Sequence, residues 1–138
     1  MNIEEYKSFD ATGLANLVKK GEVTAIELLE LAMSIVNNSE KKISALTTQA
    51  FDYGKKEIEK EKKDGYFYGV PFMLKDLNVS CKGLPTTMSN SLFENNIPNY
   101  DSDLIRLYKK SGLIIIGVTK TPELALSLTT EPHLHWPH

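Results

Sequence analysis

The chain has 138 residues, of which 41% are hydrophobic, and its 16 basic and 18 acidic side chains leave a net charge of −2. This length allows one domain with a real core, and the mixed charges suggest neither nucleic acid nor an acidic membrane as a partner. The longest apolar stretch, residues 113–118, is too short to span a bilayer, and the acidic N-terminus has no signal-peptide pattern. We therefore expect a cytoplasmic protein. Its single cysteine, Cys81, excludes an internal disulfide and reads as an ordinary thiol.

Two helices are predicted near the N-terminus. Asp10 can cap a helix over residues 11–20, and Gly21 is placed to end it. Residues 24–27, Thr-Ala-Ile-Glu, form a capping box that opens the second helix. We expect the asparagine pair at positions 37–38 to stop that helix.

A third helix is predicted from about residue 50 to residue 63. Lysine and glutamate are interleaved over residues 55–63, a pattern typical of a solvated helix face. Strands and turns follow from residue 65. Residues 70–74 indicate a buried strand, residues 77–80 its continuation or a partner strand, and residues 82–87 a loop held by glycine and proline.

A helix, a strand and a short helix complete the order. Asp101 or Ser102 caps a helix that runs to Lys110, and the apolar residues 113–116 predict a strand that is covered on both faces. Thr121 then caps a short helix with proline at its first position. Strands that alternate with helices predict an α/β domain with a partly parallel sheet.

Lys75 is the strongest chemical clue, because it stands at the inner end of the apolar strand. A buried ammonium either meets a carboxylate or loses its proton and becomes a base. Asp76 is adjacent, but neighbouring side chains of an extended segment point to opposite faces, so another group must meet Lys75. A lysine at a strand end more often reaches solvent along its aliphatic stem. From the lysine alone, both interpretations stay open.

Three sequence motifs follow one another along the chain: GVPFMLKDL, GLPTT and YDSDLIRLYKKSGLIIIGVTKTPELAL. Their order and spacing are informative together. As a set they resemble the N-terminal part of the amidase signature hydrolases, which cleave carbon–nitrogen amide bonds. The resemblance covers nearly the whole chain. The resemblance implies an α/β fold in which helices pack on a mixed, partly parallel sheet that is incomplete in this chain. It also implies that residues 1–138 are the N-terminal fragment of a single amidase domain. We divide that fragment into a helical lead-in, residues 1–64, and a strand, loop and helix part with the lysine motif, residues 65–138.

The family uses a triad of a lysine, a serine in a cis peptide linkage and a nucleophilic serine. By position in the motif, Lys75 is the lysine. The resemblance implies that a desolvated, neutral Lys75 deprotonates the nucleophile through the bridging serine. It implies a small-molecule amide substrate, and no cofactor or metal is expected.

Both family serines lie farther along such chains than His138. The six serines between residues 80 and 127 are expected to be caps, turns or surface hydroxyls. We therefore expect negligible activity from the isolated chain, with Lys75 as the one triad residue present. A non-catalytic interaction module or remnant fragment, and the A-type subunit of a transfer-RNA-dependent amidotransferase, are the alternatives.

The last three residues, Trp-Pro-His at 136–138, stand where the family continues with Gly-Pro-Thr. One inserted nucleotide in the codons for Gly-Pro-Thr produces Trp-Pro-His and can bring a stop codon into frame. Our hypothesis is that a frameshift, real or a sequencing error, ends the chain. A complementary downstream fragment is then a possible partner.

Two positions depart from the family pattern. Ser89 replaces a glycine, which could strain a turn that needs positive φ, and Val118 replaces a lysine in what we interpret as a surface or packing change. Near the C-terminus, four residues at alternating and near-alternating positions have a spacing that could hold a transition metal. They are Glu131, His133, His135 and His138. We expect no metal there, because a terminal tail rarely supplies the outer hydrogen bonds that orient metal ligands.

Overall fold

The computed structural model describes residues 1–60 and 64–135. Five α-helices occur in these residues: α1 (Ile3–Ser8), α2 (Ala11–Lys20), α3 (Ala25–Ile43), α4 (Phe51–Lys60) and α5 (Asp103–Lys110). Three strands accompany them: β1 (Leu46–Gln49), β2 (Pro71–Lys75) and β3 (Ile114–Thr119). Short 3-10 helices span Ser91–Phe93, Glu123–Ala125 and His133–His135. Within the same described residues, no helix is both long enough and apolar enough to cross a lipid bilayer.

The predicted caps of the first helices are confirmed. The Asp10 carboxylate accepts a hydrogen bond from the amide of Gly13 at 2.7 Å, and Gly21 ends α2 in the left-handed conformation. Thr24 and Glu27 form both hydrogen bonds of the capping box at the start of α3. The short helix α1 was not predicted, although Asn2 and Glu5 give it a capping box of its own.

The expected end of α3 at the asparagine pair is wrong, since the helix continues to Ile43. Asparagine in a helix interior costs only about 0.7 kcal/mol relative to alanine, which neighbouring turns can offset. The actual end is built by Glu40, whose carboxylate accepts hydrogen bonds from the amides of Ala45 at 3.1 Å and Leu46 at 2.9 Å. Ser44 then leaves the helix at φ 49°.

The predicted mixed, partly parallel sheet is confirmed. Its strand order is β1–β3–β2, and β3 pairs antiparallel with β1 and parallel with β2. The sequence did not predict β1, which lies inside the part expected to be helical and is four half-buried or exposed residues long. Such a strand shows no apolar alternation from which it could be recognised.

The central strand β3 is covered on both faces, as its apolar run predicts. Ile114 and Ile116 pack in one core cluster with Leu29 of α3, whereas Ile115 packs in another with Ile105 of α5. Helix α4 lies close against β3 at its buried Gly54, where a Cβ atom would be 3.1 Å from the carbonyl oxygen of Ile115. The sheet therefore lies between two core clusters, one on each face of β3.

Three other expected elements differ from the structure. Residues 77–80 form a bend followed by irregular backbone and not a strand. Helix α4 is described only to Lys60, and the remainder of its prediction, residues 61–63, lies outside the described residues. The short helix expected after Thr121 is a single 3-10 turn, preceded by Pro122 and without a side-chain cap. The Thr121 hydroxyl is buried and has no hydrogen-bond partner among the described residues.

Candidate active site

Lys75 is the last residue of β2 and pairs with Thr119, the last residue of the parallel strand β3. Its side chain is exposed, and its ammonium makes no hydrogen bond or ion pair with the described residues. In the described sheet, β2 is an edge strand. The desolvation of Lys75 was expected in a complete active site, and it stays a prediction.

Asp76, in contrast, is only 1% exposed. Its carboxylate accepts hydrogen bonds from the Thr87 amide at 2.6 Å, the Thr87 hydroxyl at 2.5 Å and the Ser89 amide at 3.2 Å. Its own amide donates to the carbonyl of Thr119 at 3.0 Å. Lys75 and Asp76 thus occupy opposite environments, as alternation along an extended segment predicts. The contacts of Asp76 with the later turn were not predicted.

The turn held by Asp76 has an unusual backbone. Met88 and Ser89 have φ values of 49° and 53°, a region that residues with a Cβ atom seldom adopt. The expectation that this position needs positive φ is thus confirmed. Ser89 is buried, and its hydroxyl has no hydrogen-bond partner among the described residues.

A second link ties this turn to the segment after β3. The amide of Leu124 donates to the Met88 carbonyl at 2.9 Å, and the Asn90 side-chain amide donates to Glu123 Oε1 at 2.6 Å. The carboxyl ends of β2 and β3 are therefore bordered by two connected turns. In parallel α/β sheets, ligands commonly bind outside these strand ends.

A cluster of partly buried polar groups lies between α4, α5 and the loop after β2. The Lys109 ammonium donates to Asp101 and to the Tyr53 hydroxyl, each at 2.7 Å, and lies 4.0 Å from Glu57. The Tyr53 hydroxyl is 3.4 Å from Cys81 Sγ. Because these partners come from distant parts of the sequence, no local pattern could have identified the cluster.

The electrostatics of the cluster favour a fixed ion pair. Burial alone would lower the pKa of Lys109, but its hydrogen bonds to Asp101 and Tyr53 raise it. Burial alone would raise the pKa of Asp101, but hydrogen bonds from Lys109 and the Lys82 amide lower it. Burial raises the pKa of Cys81, which keeps the thiol protonated and agrees with the expected ordinary thiol.

The sequence profile of the amidase family matches residues 27–137. The chain belongs to the amidase family. It is 34% identical over 125 residues to the 6-aminohexanoate-cyclic-dimer hydrolase of Paenarthrobacter ureafaciens, a match that covers 89% of this chain and 25% of the hydrolase. It is also 34% identical over 130 residues to the A-type subunit of glutamyl-tRNA(Gln) amidotransferase from Lachnospira eligens, covering 89% of this chain and 27% of the relative.

Solved structures confirm the amidase signature fold. A 6-aminohexanoate cyclic dimer hydrolase complexed with substrate superposes with a TM-score of 0.86 at 32% identity, covering 93% of this chain and 27% of the hydrolase. A fatty acid amide hydrolase superposes with a TM-score of 0.88 at 19% identity, covering 98% of this chain and 25% of that enzyme, which shows the shared fold alone. This amidase chain spans about a quarter of the length of the curated relatives that it matches.

The chain also exposes large apolar side chains in and after the segments that form the two connected turns. Leu92 is 87% exposed and Leu126 is 84% exposed, and Ile97, Leu124 and Leu128 are exposed as well. We call these five residues the leucine-rich face. Large exposed apolar patches on soluble proteins commonly mark interaction sites.

A separate groove of about 800 Å³ lies beside the start of α3 and is lined in part by Val18, Ile26 and Tyr66. Lys75 is not among its lining residues. Of the four possible metal ligands near the C-terminus, Glu131 and His133 are exposed, whereas His138, like Trp136 and Pro137, lies outside the described residues. In the described part of the chain, no three potential ligand side chains come together as a metal site.

Proposed function

We propose that this chain supplies the lysine of an amide-hydrolysing active site, with Lys75 as the base. The observation that carries the proposal is the position of Lys75 at the carboxyl end of β2, beside the end of the parallel strand β3, inside the region that matches the amidase family. Reacting groups on α/β sheets are commonly placed at such strand ends. The substrate class would be amides other than peptides.

The chemistry needs groups beyond those described. A serine hydroxyl becomes an effective nucleophile when a positioned base removes its proton, and desolvation is one way to lower the pKa of a lysine so that it acts as that base. Lys75 is exposed here. A further segment must therefore bury Lys75 and bring both serines, and we propose negligible hydrolysis by this chain alone.

We propose that the complementary partner is the remainder of an amidase domain and that the leucine-rich face contacts it. The curated relatives are about four times as long as the segment that matches this chain. Leu124 belongs to one of the two connected turns, and Leu92 and Leu126 follow these turns closely in the sequence. We propose that a segment covering these residues would also approach Lys75. Burial of Leu92, Leu126 and Leu128 would contribute roughly 1.5–3 kcal/mol for each side chain.

Two other functions compete with this proposal. The identity of 34% to the amidotransferase relative equals that to the cyclic-dimer hydrolase, so a glutamine-hydrolysing role in transfer-RNA-dependent amidation is a second candidate. The exposed leucine-rich face favours a non-catalytic interaction module as a third. A cytoplasmic location stays a prediction for all three.

A fusion tests the proposal. Residues 1–138 would replace the matching N-terminal segment of the Paenarthrobacter ureafaciens hydrolase, and hydrolysis of small amides, including the cyclic dimer, would be measured. We expect activity that falls about 10²- to 10⁴-fold in Lys75→Ala, the range for loss of a general base. Lys82→Ala is the matched control, because Lys82 is another exposed lysine close to β2 in the sequence.

A folded fusion that is inactive, or one in which Lys75→Ala keeps full activity, would contradict the proposal. Glutamine hydrolysis without turnover of other small amides would favour the amidotransferase. Binding of the unfused chain to an unrelated protein, together with an inactive fusion, would favour the interaction module.

A further inference from the structure

The direction in which the Lys75 side chain points depends on its backbone. Its ammonium has no hydrogen bond or ion pair with the described residues, so no side-chain contact there fixes its aim. The backbone, by contrast, is held on both sides. Lys75 pairs with Thr119 in the sheet, its carbonyl accepts from the amide of Leu77 at 2.8 Å, and the next amide, that of Asp76, donates to the Thr119 carbonyl at 3.0 Å.

The Asp76 side chain adds a second anchor one peptide bond away. Its carboxylate is buried and accepts from the amide and hydroxyl of Thr87 and from the amide of Ser89. A buried carboxylate that lost these donors would be costly. Rotation of the peptide between Lys75 and Asp76 is therefore opposed by both the sheet and the turn.

The residues of the turn at Met88 and Ser89 have little intrinsic preference for the backbone conformation that they adopt. Met88 and Ser89 both have positive φ, although each carries a Cβ atom, and such residues cost about 1–3 kcal/mol each. An external group must hold the turn, and Asp76 is the buried acceptor at its centre. Asp76 and the turn thus stabilise each other, and Lys75 is attached to this unit by one peptide bond.

We propose that Asp76 is a positioning residue for Lys75: by locking the end of β2 to the turn at Thr87 and Ser89, it sets the direction from which the amine approaches the reacting groups. This inference rests on the proposed function of Lys75 as the base. Misplacement of a reacting group by about 1 Å can lower a rate about 10²-fold. Asp76 would thus affect turnover through Lys75 without contacting the substrate.

The test is a double-mutant cycle in the fusion enzyme. Asp76→Asn keeps the size of the side chain but places an amide N–H₂ group among donors of the turn. We expect kcat to fall about 10- to 100-fold, with KM changed less than about threefold. Asp101→Asn is the matched control, since Asp101 also accepts from a backbone amide, that of Lys82 at 2.7 Å, and belongs to the separate ion-pair cluster. We expect it to leave kcat unchanged.

The second half of the cycle separates positioning from general loss of structure. In Lys75→Ala, added methylamine can act as a free base that Asp76 does not position. In that background we expect Asp76→Asn to change the amine-dependent rate less than about threefold, because coupled residues are non-additive. If Asp76→Asn cannot be obtained folded, Thr87→Val serves instead. It removes the hydroxyl donor to Asp76 together with the acceptor for the Ser89 amide.

The results of the cycle distinguish a failure of the inference about Asp76 from a failure of the proposed function of Lys75. Equal losses with and without Lys75 would overturn the inference, because they indicate a structural role that does not pass through the lysine. An effect on KM alone, or an unchanged kcat in Asp76→Asn, would also overturn it. A folded but inactive parent fusion, or full activity in Lys75→Ala, would instead contradict the proposed function and remove the basis of the inference.

Discussion

Gly112 is the residue at which one added methyl group should most clearly disturb the approach of β2 to β3. It lies in the turn between α5 and β3 at φ +89°, and a Cβ atom there would be 2.6 Å from Tyr68 Cα and 2.7 Å from the Tyr68 nitrogen. Both are backbone atoms, which no side-chain rotation can move away. The Gly112 carbonyl accepts from the amide of Gly69 at 3.1 Å, so the clash occurs where the chain enters β2.

Gly83 supplies the control needed to estimate the magnitude. It has a similar φ of +82°, but a Cβ atom there would meet nothing within 4 Å. A left-handed conformation costs an alanine about 1–2 kcal/mol, and the stiffer unfolded chain returns about 0.4–1 kcal/mol. We therefore expect Gly83→Ala to lower the free energy of unfolding by about 1 kcal/mol. At Gly112, non-bonded carbons prefer about 3.5–4.0 Å, so a backbone shift costing about 1–3 kcal/mol more is required.

Urea unfolding of both variants, followed by circular dichroism, measures the difference. We expect Gly112→Ala to lose roughly 2–4 kcal/mol in total, with an unfolding slope close to that of the parent chain. Equal losses in Gly112→Ala and Gly83→Ala would refute the reasoning, because they would mean that the turn at Tyr68 relaxes without cost.

Three further expectations concern buried polar groups. Ser89→Gly should raise the free energy of unfolding by about 1 kcal/mol in urea titrations, because it relieves positive φ and removes a buried hydroxyl without a described partner; a loss of stability would contradict this. Lys109 holds the pKa of Asp101 below its usual value against the effect of burial. The Asp101 carboxylate therefore binds a proton more readily in the unfolded state than in the folded state. Stability should fall as pH decreases below about 4, and Asp101→Asn should flatten that dependence; an identical pH profile would argue against the ion pair. Cys81 is buried beside Tyr53 and has a raised pKa. Its thiol should therefore react with a thiol reagent at pH 7 far more slowly in buffer than in about 8 M urea, which unfolds the chain. Equal rates would show that the thiol is accessible in the folded chain.

Local signals in the sequence were sufficient for most helices. The caps of α2 and α3 depend on residues within four positions of one another, so the sequence alone predicts them. The end of α3 was wrong because asparagine is a weak stop signal, whereas the contacts of Glu40 with the following amides depend on the path of the chain after the helix. Strand β1 was missed because its pairing with β3 spans some 70 residues and leaves little local trace.

The same distinction applies to the candidate site. The sequence places Lys75 at a strand end because the apolar run and the motif are both local. The hydrogen bonds of Asp76 to Thr87 and Ser89 connect residues 11 and 13 positions apart across a loop, and the hydrogen bond of Lys109 to Tyr53 joins segments that only the fold brings together. Lys75 is exposed in the described residues, where β2 is an edge strand of the three-stranded sheet, and its burial by a further segment stays a prediction.

The proposed role of Lys75 as a base has two requirements, a fixed position and a lowered pKa, and the structure bears on them separately. Its position is determined by backbone pairing and by the buried turn contacts, all of which form among the described residues. Its basicity requires removal from water, and the edge of β2 leaves the amine exposed. An open strand edge is itself a surface that another strand can join. A segment that paired with β2 there would restrict solvent at Lys75 while leaving the hydrogen bonds of Asp76 unchanged, which is the step that the proposed function of Lys75 requires.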